Sequence, residues 1–88
     1  MSGRRVKWAR ILEYLAAGNS LNRFEAEKLG DHSLPSTISG LKHRHGIFVE
    51  HTPEIINGYY GAEVRCMRYS LAATERERAK ALLESLAK

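Results

Sequence analysis

The first half of the chain carries hydrophobic residues with a helical period. Over residues 5–17, four apolar side chains recur at steps of three, one and three, which places them on one helix face. They are Trp8, Ile11, Leu12 and Leu15. The following Gly18-Asn19 pair is a typical helix stop, so the pattern predicts an amphipathic first helix.

Two further helices are indicated by their boundary residues. Asn22 and Glu25 have the spacing of a capping box, which predicts a short helix over residues 23–29, ended by Gly30. Three of its residues are expected to pack against the core: Phe24, Ala26 and Leu29.

A third helix is predicted over residues 33–45. His32 or Ser33 caps it, Pro35 lies in the first turn where a missing N–H is harmless, and Gly46 ends it. The face of this helix that is expected to turn toward the core consists of Leu34, Ile38, Leu41 and, at its end, His45.

After Gly46 the sequence changes to β-forming residues. Residues 47–49 are expected to begin one strand, and residues 64–71 form a second strand with alternating character. A β-hairpin with its tip at residues 57–61 is predicted. Its register stays open because four residues can extend either arm: Ile55, Ile56, Tyr59 and Tyr60.

The C-terminal segment is predicted to be a fourth helix. Thr74 and Glu77 form a second capping box over residues 74–88, and the apolar face contains Ala79, Leu82, Leu83 and Leu86. The fold class is therefore mainly α with a β-hairpin (α+β), in the order α-α-α-β-β-α. This is the layout of a winged helix-turn-helix domain.

Length and composition limit the classes of function. Eighty-eight residues form one domain over 1–88, with a flexible basic arm at residues 1–5. No apolar run reaches the about 20 residues of a membrane-spanning helix. The single Cys66 excludes an internal disulfide and a cysteine-based zinc site, so we expect a cytoplasmic protein.

Catalysis and metal binding are not expected. The sequence contains no nucleophile elbow, phosphate-binding glycine loop or cofactor motif. His43 and His45 are two positions apart, so a helix sends them to different faces and prevents chelation.

The charge of the chain favours a polyanionic partner. The net charge is +4, and four cations precede the first carboxylate: Arg4, Arg5, Lys7 and Arg10. This cluster, with Arg4, Arg5 and Lys7 as its proposed DNA contacts, either follows a phosphate backbone, enters a minor groove as a flexible arm, or serves as a solubilising tail.

The outward face of the third helix is the main candidate site. It combines short hydroxyl groups with basic residues, a composition that suits the major groove of double-stranded DNA. The expected base-reading side chains are Ser33, Ser36, Thr37, Ser39 and His43. Lys42 and Arg44 are expected to reach phosphate or guanine, and Gly40 allows close approach. The alternative is an ordinary solvated helix face.

The hairpin offers a second set of candidates. Arg65 and Arg68 either clamp phosphate from the sheet or are solvated strand charges, and Tyr59 and Tyr60 form an aromatic pair at the tip. The region also carries Glu50, Glu54 and Glu63, which favours a protein contact over a DNA contact at the tip.

Several short motifs show a family resemblance. They are Leu21-Asn22-Arg23-Phe24-Glu25-Ala26, Leu29-Gly30, Ser36-Thr37-Ile38, Leu41, Gly46-Ile47 and Arg68-Tyr69-Ser70-Leu71. In these motifs the chain resembles the small winged helix-turn-helix proteins of bacteriophages and prophages. The resemblance implies DNA binding in phage gene control or genome handling, in the cytoplasm of a bacterial host.

Two further interpretations stay open. The chain is alternatively a phage-encoded protein-binding inhibitor of a host or defence protein, built on the same scaffold. Ala79, Leu82 and Leu86 also have heptad-like spacing, so residues 74–88 either cover the core or pair two subunits.

Overall fold

Residues 6–86 form four α-helices and one antiparallel hairpin. The computed structural model describes residues 6–86, so the predicted basic arm at 1–5 lies outside the described residues. The elements are α1 (Lys7–Ala16), α2 (Arg23–Glu27), α3 (Leu34–His45), β1 (Glu50–Asn57), β2 (Glu63–Ser70) and α4 (Ala73–Leu86). This confirms the predicted α+β class and element order. No helix among these residues is long and apolar enough to cross a bilayer.

The core lies on the predicted apolar face of α1. Ile11, Leu12 and Leu15 have no exposed surface, as their helical spacing predicts. Trp8, at the start of the same face, is only half-buried, and its ring stacks on His45 of α3 with 4.2 Å between ring centroids. Residues from the other three helices and from the connecting segments complete the cluster: Leu21, Ala26, Leu34, Leu41, Ile47, Leu71, Ala79 and Leu83.

The capping box of α2 is confirmed. The backbone N–H of Glu25 donates to Oδ1 of Asn22 at 2.8 Å, and the backbone N–H of Asn22 donates to Oε1 of Glu25 at 3.1 Å. The helix ends at Glu27, two residues before the predicted end. Phe24 lies at the surface with the Arg23 guanidinium 4.7 Å from its ring centroid, so its predicted core position is wrong.

The hairpin has a register that the sequence left open. Glu50 pairs with Ser70 and Asn57 with Glu63, which assigns Ile55 and Ile56 to β1. Residues 47–49 are not part of the strand. The N–H of Phe48 donates to the side chain of Glu75 on α4 at 2.9 Å, which ties this segment to a helix instead of to β2.

A second connection fixes the hairpin to the helices. Leu21, in the loop between α1 and α2, forms a β-bridge with Tyr69 of β2. Both hydrogen bonds of the bridge are made, with N–O distances of 2.9 and 2.7 Å. The base of the hairpin is therefore held beside the first two helices.

Helix α4 covers the core by packing on α1. Ala79 and Leu83 are buried, whereas Leu86 is 45% exposed. The predicted cap at Thr74 is wrong, because the helix begins at Ala73 and the N–H of Arg76 already bonds to the carbonyl of Ala72.

Arg68 joins α2 to the hairpin. Its Nε donates to Glu54 of β1 at 2.7 Å, and its two Nη atoms donate to both carboxylate oxygens of Glu25 at 3.0 and 3.2 Å. Nη1 also donates to Ser20, and the buried Asn22 donates to Glu54. Hydrogen bonds from Arg68 are the main cause that lowers the pKa of both glutamates.

We expect this cluster to make stability depend on acid pH. A carboxyl whose folded pKa is lowered contributes stability above its unfolded pKa, and this contribution is lost as the pH falls through the folded value. The free energy of unfolding, measured with urea, should therefore fall as the pH drops below about 4.3.

In Arg68→Met, the glutamates should lose most of their pKa shift, so this acid dependence should flatten. Stability at neutral pH should fall by about 1–2 kcal/mol, because the cluster is only half-buried. Lys80→Met removes a cation from an exposed pair with Glu77 and should keep the wild-type pH profile. If Arg68→Met kept the wild-type dependence of stability on pH, Arg68 would not be the cause of the lowered glutamate pKa values.

Candidate nucleic-acid interface

Helix α3 presents one side to the core and the other to solvent. Leu34 and Leu41 anchor it in the core, and Ile38 packs partly against the same cluster. At the opposite side Ser36, Ser39 and His43 are exposed, as their spacing in the helix requires. Ser33 is exposed at the start of the helix, and Lys42 and Arg44 flank the outward face.

Thr37 does not belong to this face. It is only 8% exposed, and its hydroxyl donates to Oδ2 of the fully buried Asp31 at 2.6 Å. The predicted outward position of Thr37 is therefore wrong, because its hydroxyl group points inward to donate a hydrogen bond to a buried carboxylate.

Asp31 also replaces the predicted side-chain cap of α3. Its Oδ1 accepts a hydrogen bond from the N–H of Ser33 at 2.8 Å, whereas the side chain of Ser33 makes no capping bond. Lys7 of α1 lies 3.6 Å from the same oxygen and supplies a positive charge to the buried carboxylate. The aspartate thus connects the start of α1 to the first turns of α3.

The outward face of α3 is positively charged. The helix contains no Asp or Glu. Among residues 6–86, the ion pairs formed by side chains do not involve Lys42, His43 or Arg44. Lys42 lies 5.8 Å from the centroid of the Phe48 ring, which is compatible with a weak cation–π contact.

Gly40 lies on this face with open space around it. A Cβ atom added there would meet no heavy atom within 4 Å, and the residue has no positive φ that would require glycine. Glycine inside a helix costs about 0.5–1 kcal/mol relative to alanine. Neither packing nor backbone geometry accounts for a glycine at this position.

A groove runs between the start of α1 and helix α3. It has a volume of about 520 Å³ and contains Trp8 together with the residues Lys7, Ser33, Ser36, Gly40 and Arg44. Arg44 and the two serine hydroxyl groups can accept a phosphate-rich strand in this open groove, whereas Lys7 already faces the carboxylate of Asp31.

The two faces of the hairpin differ in charge. Glu54, Cys66 and Arg68 lie on the face that turns toward α2, where Arg68 is already bonded to two carboxylates. Arg68 is therefore not available to clamp a phosphate, which corrects that part of the expectation. Arg65 is exposed on the opposite face, next to Ile55 across the strands.

The tip of the hairpin carries an exposed tyrosine. Tyr60 is fully solvent-exposed, and its φ of 62° is the only positive value at a non-glycine position among the described residues. A left-handed backbone is unfavourable for a bulky side chain. The side chain of Tyr59 lies outside the described part of the molecule.

The remaining reactive groups are dispersed. No three His, Cys, Asp or Glu side chains in the described ranges come together as a metal site. Cys66 is half-buried, and burial together with nearby Glu54 raises the pKa of its thiol. Of the residues that organise the site, sequence reasoning missed Asp31, although an aspartate two positions before the N-cap residue of a helix is a recognisable local signal.

The role of Asp31 gives a test of how α3 is held. In Thr37→Val, Oδ2 of Asp31 loses its hydrogen bond inside the protein, so we expect a loss of about 1–3 kcal/mol of stability in urea unfolding. Ser36→Ala, one position away but exposed, should change stability by less than about 0.5 kcal/mol. Equal effects of the two substitutions would contradict the buried position of Thr37.

Comparison of the chain with protein-family models, with curated proteins and with solved structures gives no match in any of the three.

Proposed function

We propose that the protein binds double-stranded DNA as a winged helix-turn-helix domain, with α3 as the recognition helix in the major groove. The proposed role is that of a phage or prophage transcriptional regulator or genome-handling factor in the bacterial cytoplasm. Its partner is DNA, and no cofactor or metal takes part. The bridge between Leu21 and Tyr69 supports the winged arrangement, because it holds the base of the hairpin beside the loop between α1 and α2.

The outward face of α3 is the observation that carries this proposal. This face combines short hydroxyl side chains with a glycine that has open space around it. It also carries Lys42 and Arg44, which form no ion pair with another residue of the described range 6–86. Hydroxyl groups at Ser36 and Ser39 accept and donate hydrogen bonds, as base edges in the major groove require. Lys42 and Arg44 flank them, where the phosphates on either side of a groove lie.

The hairpin supports the proposal more than its acidic composition suggests. Glu54 is neutralised by Arg68 on the face turned away from α3. The face turned toward α3 carries Arg65 and His51, with Glu63 at its tip end. A phosphate strand beside α3 would therefore meet Arg65 on this face instead of the carboxylates of Glu50 and Glu54.

The direct test is selection from a random DNA pool with the purified full chain at about 150 mM salt. Enrichment of one motif supports sequence-specific binding. A palindromic motif would indicate a dimer, for which α4 offers Leu82 and Leu86, since Ala79 is in the core. Absence of enrichment would reject the proposal and favour the protein-binding inhibitor.

Arg44→Ala should weaken binding to the selected DNA. If Arg44 contacts phosphate, the slope of log K against log salt should fall in magnitude by about 1. If it contacts guanine, specificity at one base pair should relax, at a cost of about 1–3 kcal/mol. Lys80→Ala on α4 removes the same charge away from α3 and is the matched control. An Arg44→Ala variant that binds like wild type, with the same salt slope, would contradict both roles.

Gly40→Ala separates folding from binding. The substitution should stabilise the protein by about 0.5–1 kcal/mol, because it favours the helix and meets no neighbour. In the proposed complex the same methyl group would obstruct close approach to a base edge, so affinity for the selected DNA should fall. Melting temperature and binding isotherms measure the two effects. Higher stability with unchanged affinity would exclude Gly40 from the interface.

A further inference from the structure

An apolar surface runs along the hairpin and continues beside α3. We call it the apolar stripe and define it by four exposed residues: Phe48, Met67, Pro53 and Ile55. Met67 lies directly opposite Pro53 across the strands, Ile55 is diagonal to Met67, and Phe48 lines the same groove as Met67. The exposed fractions are 57% for Phe48, 59% for Ile55 and 37% for Met67.

The exposure of Phe48 is built into the fold. Its neighbour Ile47 is buried in the core, and its own N–H is bonded to Glu75 of α4. Arg78 donates to Glu75 at 3.2 and 3.3 Å, and hydrogen bonding from Phe48 is the main cause that lowers the pKa of this carboxyl. The segment is thus held by the burial of Ile47 and by the hydrogen bond from the N–H of Phe48 to Glu75. The phenyl ring of Phe48 projects into solvent.

Strand alternation exposes the other members. Pro53, Ile55 and Met67 share the face of the hairpin that is opposite to Glu54 and Arg68. Because the polar cluster around Arg68 fixes which face turns toward α2, these apolar side chains must lie on the other one. Exposed apolar side chains that adjoin one another on a small protein are typical of an interaction surface.

Two cations lie beside the apolar stripe, Lys42 at the Phe48 end and Arg65 at the Ile55 end. Lys42 lies beside the Phe48 ring, Arg65 is the cross-strand partner of Ile55, and His51 lines the groove next to Met67. The carboxylates of Glu50 and Glu54 belong to the opposite face, and Glu63 stands at the tip end. A complementary partner therefore presents apolar side chains with carboxylates beside them.

We propose that the apolar stripe, with Lys42 and Arg65 at its edges, is a docking site for a protein segment that combines apolar side chains with Asp or Glu. Phosphodiester strands are a poorer partner, because they supply charge but little apolar surface to cover Phe48 and Ile55. The site lies next to the outward face of α3 but does not depend on DNA binding by that face.

The test uses a display library of random peptides selected on the full chain at about 150 mM salt. We expect enrichment of peptides that carry apolar residues together with Asp or Glu. The most enriched peptide is then synthesised with a fluorophore, and its affinity is measured by fluorescence anisotropy. The affinity should fall as salt rises, since Lys42 and Arg65 contribute to it.

Three substitutions locate the bound peptide. Phe48→Ser and Ile55→Thr remove apolar surface, and threonine keeps the β-branched shape that suits a strand. Each should weaken peptide binding about tenfold, and Arg65→Glu should weaken it at least as much. Phe24→Ser removes an exposed ring from α2 and is the matched control, which should bind like wild type. Urea unfolding verifies that every variant is folded.

Three results would overturn the inference. They are no enriched peptide, enriched peptides without acidic residues, or binding that ignores Phe48→Ser and Ile55→Thr. If these two variants instead weaken binding of the selected DNA as much as Arg44→Ala does, the apolar stripe belongs to a DNA contact and the docking site is rejected. If only the DNA selection fails, the proposed function is rejected. The docking site is then still tested by the peptide selection, which does not involve DNA.

Discussion

The guanidinium group of Arg68 joins the helical half of the molecule to the hairpin through side chains, next to the backbone bridge between Leu21 and Tyr69. One cation satisfies Glu25, which caps α2, and Glu54, which belongs to β1. Removal of either carboxylate would leave N–H groups of the half-buried guanidinium without their hydrogen-bond partner. In a chain whose core is small, a polar junction of this kind determines the orientation of a two-stranded sheet that has little apolar packing of its own.

The orientation of the hairpin has consequences for its whole surface. Once Glu54 and Arg68 turn toward α2, strand alternation directs Arg65, Ile55 and Met67 to the side of α3. The acidic residues that make the hairpin look unsuited to DNA are thus largely separated from the basic helix. Two neighbouring surfaces result, one polar and basic on α3 and one apolar with basic edges on the hairpin.

The sequence predicted the elements better than the directions of individual side chains. Helical spacing identified the buried face of α1, and capping residues identified α2 and the end of α3, because these signals are local. Thr37 and Phe24 were placed on the wrong side, because polarity decided their assignment. Thr37 instead donates a hydrogen bond to the buried Asp31, a contact that helical periodicity does not show. Phe24 stays at the surface beside its sequence neighbour Arg23.

The polar junction was missed for a similar reason. Arg68 is 43 positions from Glu25, and no pattern within a strand indicates such a pairing. Glu54 reaches Arg68 only in one register of the two strands. That register follows from the five-residue connection between Asn57 and Glu63, which determines which of the β-forming residues belong to the strands. Charge counted along the chain therefore describes an acidic hairpin, whereas charge counted by face separates Glu50 and Glu54 from Arg65.

The stacking of Trp8 on His45 has a practical meaning. The chain contains one tryptophan, and that ring lines the groove between α1 and α3 beside Arg44 and Gly40. All tryptophan emission of the protein thus originates at a single contact between the first helix and the end of the third. The protein carries an intrinsic optical probe of its own groove, so displacement of α3 or entry of another molecule can be followed in unlabelled material.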